Sequence, residues 1–130
     1  MSPINLTITG TGSYLPATVL PSTDIDDRMG WAQGECQARF GIASRHVAMP
    51  EETTSFMGAE AARRAMEMAG CKPEDLDMIL GACGVMEQPI PSTATLVQER
   101  LGLGRSGIPA FDVNATCLSF LQALDLAAMH

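Results

Sequence analysis

The stretch that most restricts the fold of this chain is its last thirteen residues before His130. Leu118, Phe120, Leu121, Ala123, Leu124, Leu126, Ala127, Ala128 and Met129 leave almost no polar side on a helix running from Cys117 to Met129. A helix that is apolar around its whole circumference needs neighbours on every side. The chain must therefore fold in layers, with this helix enclosed between them. The sequence stops at His130, so the expectation is a partner, or a longer protein of which residues 1–130 are the first part.

The preceding segments alternate in type. Residues 4–13, INLTITGTGS, read as a first strand ending in a tight turn at Gly10 and Gly12. Residues 14–40 carry Pro16, Pro21, Gly30 and Gly34 and read as a loop-rich excursion with one or two short helices, followed by a short strand or hairpin arm over 41–49. A helix is predicted from Thr53 to Ala69, capped by hydroxyls at 53–55 and stopped by Gly70. Its apolar face is Met57, Ala61, Ala65 and Met68, and its outer face should carry the pairs Glu60–Arg64 and Arg63–Glu67. Then come a buried strand at 76–81, a helix from Ser92 to Leu101, a strand at 108–113 and the final helix. Strands alternating with helices indicate one α/β domain with a mostly parallel sheet and flanking helices.

Bulk properties remove several functional classes. The net charge of −7 leaves no basic stripe for nucleic acid. No segment supplies the roughly 20 apolar residues of a membrane span, and the N-terminus lacks the pattern of a signal peptide. A cytoplasmic location is the expectation. Four cysteines without C-x-x-C spacing and only two histidines give no support for a metal site.

Among the four thiols, Cys117 stands apart because it follows a strand and opens a helix. Unpaired backbone N–H groups there favour a thiolate and can hold an oxyanion. The plainer reading is a small, buried, apolar residue. Cys36, Cys71 and Cys83 read as packing or surface residues, and His46 as structural. His130 lies 13 residues beyond Cys117, roughly 20 Å along a helix, so it cannot serve as its base. Gly10-Thr11-Gly12 lacks the third glycine of a dinucleotide loop. The methionines read as core filling.

Several of these stretches resemble the β-ketoacyl-acyl-carrier-protein synthase III family. Ile8 to Pro16 (ITGTGSYLP) is similar to its opening strand and turn. Arg39-Phe40-Gly41-Ile42 with Arg45-His46 resembles its R-T-G-I-x-x-R-H stretch, and 60–70 its first long helix. Pro109 to Val113 (PAFDV), leading to Cys117 and Phe120, resembles the strand before its active-site cysteine. The resemblance implies a thiolase-like fold of two similar halves, of which 1–130 would be most of the first. It implies that Cys117 takes an acyl group from acyl-coenzyme A and passes it to malonyl-carrier protein with loss of carbon dioxide, with the catalytic histidine and asparagine in the second half. Arg39 would contact coenzyme A. Ile90 would line the acyl pocket of the other subunit of a homodimer, and no permanently bound cofactor is implied.

Three departures accompany the resemblance. The family's tryptophan four residues before the arginine is Glu35 here, with Trp31 displaced. Its C-A-G-F is Cys117-Leu118-Ser119-Phe120, and Asn114 replaces a small residue. Ile90 stands where an aromatic often lies, which leaves room for acyl chains longer than acetyl. The departures suggest a divergent member serving secondary metabolism, with transfer to an oxygen or nitrogen acceptor as an alternative. A non-catalytic half-domain that pairs with a complementary subunit is the rival reading.

Overall fold

A computed structural model describes residues 6–130. They form two compact units, Leu15–Glu52 and a second made of 6–14 together with 53–130.

The smaller unit contains strand β1 (Val19–Pro21), helix α1 (Ser22–Met29), helix α2 (Glu35–Phe40) and strand β2 (Ser44–His46). The two strands pair antiparallel, with Val19 opposite His46 and Pro21 opposite Ser44. The unit is held by a buried acid. The Asp26 carboxylate is fully buried and accepts the backbone N–H groups of Gly34 and Cys36, both at 2.7 Å. Two charge-assisted bonds of this kind offset the cost of burying the group and fix the loop entering α2. His46 donates Nδ1–H to the Pro16 carbonyl at 2.6 Å, so its role here is structural.

The larger unit contains helix α3 (Thr54–Ala69), strand β3 (Ile79–Ala82), helix α4 (Thr93–Arg100), strand β4 (Ala110–Val113) and helix α5 (Ser119–Ala128). Strands β3 and β4 pair in parallel, Ile79 opposite Ala110 and Ala82 opposite Val113, as a strand–helix–strand unit requires. Its core joins Ala59 and Met66 of α3 to Leu101 and Leu103. The Thr53 side chain caps α3 by accepting the Phe56 N–H at 3.4 Å.

Three expectations need correction. Residues 4 and 5 of the predicted first strand lie outside the described residues, and 6–13 enter no strand ladder among the described residues. Gly10 and Gly12 do not make a turn; they let this segment lie on α3. A Cβ at Gly10 would strike the Ala65 carbonyl oxygen, and one at Gly12 the Ala61 carbonyl oxygen. That contact takes the Ala61–Ala65 side of α3, so the core side is turned towards Ala59 and Met66, and Met68 is left exposed. The predicted i,i+4 pairs are also replaced. Arg63 pairs with Glu60 and donates to the Arg100 carbonyl at 2.5 Å, and Arg64 donates to the Ser13 carbonyl at 2.5 Å. A guanidinium fork gains more from a fixed carbonyl acceptor than from a solvated partner on the same helix.

Helix α5 is covered on one side only, through Ser119 and Ala123. Leu118, Phe120, Leu121 and Met129 are 59%, 63%, 58% and 64% exposed. Covering each is worth about 1.5–3 kcal/mol. A polypeptide of residues 1–130 is therefore expected to self-associate and to bind a hydrophobic dye. Light scattering with dye fluorescence checks this, and a dilute monomer without dye binding would contradict it.

Candidate active site

Cys117 sits in a sharp connection between β4 and α5. After Val113 the chain passes through Asn114 and Ala115 to Thr116, whose φ of 51° is left-handed. For a residue with a branched Cβ this costs about 1–2 kcal/mol, so the surroundings must hold it in place. Thr116, Cys117 and Leu118 form a single 3-10 turn, and α5 begins at Ser119. The expected helix start at Cys117 is thus two residues early: Thr116 to Leu118 make the 3-10 turn, and Leu118, with φ −96° and ψ 1°, is the residue that precedes α5. Cys117 is also exposed rather than enclosed, while Cys36 is buried and Cys71 and Cys83 are half-buried.

Side chains brace the turn from both ends. Asn114 Oδ1 accepts the Thr116 N–H at 3.1 Å, and Asn114 Nδ2 donates to the Gly84 carbonyl at 3.4 Å. Ser119 Oγ donates to the Thr116 carbonyl at 2.7 Å and accepts the Ala115 N–H at 3.0 Å. Behind it, the Asp112 carboxylate of β4 accepts the N–H groups of Thr93 and Ala94, both at 2.8 Å, and so caps α4. Burial first, and then the charge of Asp112, push the Cys83 thiol up, despite an opposing hydrogen bond with Thr93. Cys83 is correspondingly poor as a nucleophile.

Ile90 lies on the loop that enters α4 and is 85% exposed. Glu87 anchors that loop: its Oε2 accepts the Ser55 N–H at 2.6 Å, near the start of α3. Burial raises the Glu87 carboxyl, but bonds from the Ser55 backbone and side chain and from Thr53, with the charge of Arg100, outweigh it and hold it below the usual carboxylate value. A lowered folded value adds stability above the unfolded value, and that stability is lost as pH falls through the folded one. Glu87→Ala is therefore expected to cost about 1 kcal/mol at neutral pH, the size of a lost helix cap. The gap should narrow in acid. Urea unfolding at both pH values checks this, and a gap independent of pH would contradict it.

Arg39, on α2, belongs to the smaller unit. Its guanidinium lies 4.7 Å from the centre of the Trp31 ring and pairs with Glu35. Trp31 also stacks on Phe40, with ring centres 6.4 Å apart. Trp31, displaced in sequence from its place in the family pattern, is thus brought back beside Arg39 by the loop that Asp26 holds. Among the described residues no cluster of His, Cys, Asp and Glu could hold a metal. Among the described residues no helix is long and apolar enough to cross a membrane.

No protein-family model matches the chain. Comparison with individual proteins tells more. The β-ketoacyl-acyl-carrier-protein synthase III of Neisseria meningitidis serogroup A is 44% identical over 120 residues, which is 92% of this chain. The chain belongs to the β-ketoacyl-acyl-carrier-protein synthase III-like family. It spans 37% of the length of that relative. The crystal structure of 3-oxoacyl-acyl-carrier-protein synthase III from Aquifex aeolicus is 40% identical, with a TM-score of 0.80, over 92% of this chain and 38% of its own. The priming β-ketosynthase of the R1128 polyketide pathway is 31% identical, with a TM-score of 0.77, over 93% of this chain and 36% of its own. The fold is therefore the thiolase-like α/β fold, and the residues described correspond to the N-terminal part of these enzymes.

The sequence reading missed Asn114 and Ser119 as braces and Glu87 as an anchor. An Asn two residues before a Thr after a strand is an Asx-turn signal that could have marked the first.

Proposed function

We propose that this chain is the acylating part of a ketoacyl synthase III-type enzyme. Cys117 attacks an acyl-coenzyme A, the coenzyme A thiol leaves, and an acyl-thioester forms on Cys117. In the complete enzyme a malonyl-carrier protein then loses carbon dioxide and its carbanion takes the acyl group. The observation that carries the reading is the exposed Cys117 on a braced strand–turn–helix connection, in a chain 44% identical to a synthase of this name. Trp31 and Arg39 supply a stacking face and a charge suited to coenzyme A. Ile90, on its exposed loop, lines the acyl pocket of the other subunit in a homodimer. Its size favours chains longer than acetyl.

The test is intact-protein mass spectrometry after exposure to acyl-coenzyme A of graded chain length, with the adduct mapped by proteolysis. One acyl group on the Cys117 peptide is expected, fastest with chains beyond acetyl. An unmodified Cys117 would end the reading. The likeness to a priming polyketide ketosynthase favours one variant, in which the same acyl-enzyme serves secondary metabolism.

A further inference from the structure

The left-handed turn at Thr116 has no glycine to make it easy, yet it sets where Cys117 points. Two side chains close on it from opposite sides. Asn114 holds the Thr116 N–H from the strand side, and Ser119 holds the Thr116 carbonyl from the helix side at 2.7 Å. Each makes a second bond, Asn114 to a neighbouring segment and Ser119 within the turn. Asn114 reaches the Gly84 carbonyl at the end of the neighbouring strand, and Ser119, itself buried, takes the Ala115 N–H. Gly84 also backs directly onto Thr116, its virtual Cβ lying 3.8 Å from the Thr116 carbonyl oxygen.

We infer that Asn114 and Ser119 are positioning residues that clasp the Thr116 turn and thereby aim the Cys117 thiol at the acyl-thioester carbonyl. The inference rests on the reading of Cys117 as the acyl carrier. Neither side chain bonds to Cys117 itself; each acts through the backbone just before it, at Ala115 and Thr116. A nucleophile misaimed by about an ångström loses on the order of a hundredfold in rate. The loss falls on the chemical step and leaves substrate binding alone.

The experiment compares the complete protein with Asn114→Ala, Ser119→Gly and Ser119→Thr variants, following acylation of Cys117 by acyl-coenzyme A in single turnover. The first two should lower the maximal acylation rate roughly 10- to 100-fold, with half-saturating acyl-coenzyme A unchanged. Alkylation by iodoacetamide, which accepts many approach angles, should fall far less. Ser119→Thr keeps the hydroxyl and should restore most of the rate, which also controls for damage to the fold. Equal acylation rates in parent and variants would overturn the clasp alone. A parent protein that takes no acyl group would overturn the reading of Cys117 and, with it, the purpose of the clasp.

Discussion

Replacing Cys117 by alanine is expected to reduce acylation by acyl-coenzyme A to background, with condensation by the complete enzyme falling by on the order of 10⁴-fold or more. The expectation follows from chemistry and from position. The nucleophile is the thiolate, which is intrinsically strong. The three other cysteines do not take its place: Cys36 is buried, Cys71 is half-buried, and the Cys83 thiol is pushed up by burial and by Asp112. Because Cys117 is exposed, its side chain contributes little packing, and stability should change by no more than about 0.5 kcal/mol. The measurement therefore pairs acyl-adduct mass spectrometry with thermal unfolding. Lost acylation with unchanged melting assigns the chemistry to Cys117. Lost acylation with a large fall in melting temperature would make the residue structural. Cys117→Ser sharpens the comparison, since a hydroxyl at neutral pH carries almost no anion and should acylate hardly better than alanine.

Much of this arrangement is legible in the residues alone, and the limits have physical causes. Helix α3 shows itself because its signals are local: hydroxyls at 53–55, Gly70 at the end and Pro73 beyond it. The same holds for β4 and for the Ser92 cap of α4. What the sequence hides is tertiary. Gly10 and Gly12 look like turn glycines, and only the packed backbone of α3 shows that they permit close approach. The apolar face of α3 is ambiguous because alanines lie on more than one of its sides; the lying segment, not the periodicity, decides which side is core. At the site, the position of Cys117 after a strand is readable, but the left-handed Thr116 is not, since threonine gives no hint of positive φ. Trp31 is the opposite case. Counting residues removes it from Arg39, while the chain path fixed by Asp26 restores it.

A polypeptide of residues 1–130 is expected to accept at most one acyl group on Cys117 and to release no condensed product. Acylation needs only an aimed thiolate and a thioester whose leaving group is itself a good thiolate. Condensation asks for more. The malonyl carboxylate must leave as carbon dioxide, the resulting carbanion must be held while it attacks, and the Cys117–acyl bond must break. Each charge needs a donor placed before the reaction begins. Within this chain His130 lies 13 residues beyond Cys117, roughly 20 Å along a helix. His46 has its Nδ1–H committed to the Pro16 carbonyl. The chain spans 37% of the length of the Neisseria relative, and the donors for the second step are expected from the remainder of such an enzyme. The assay supplies acyl-coenzyme A and malonyl-carrier protein to soluble polypeptide whose Cys117 has been shown to acylate, so that misfolding cannot mimic the result. Acyl-enzyme should then accumulate without turnover. More than one product released per polypeptide would show that the groups for condensation lie within residues 1–130. The assignment of that step to other parts of the protein would then be wrong.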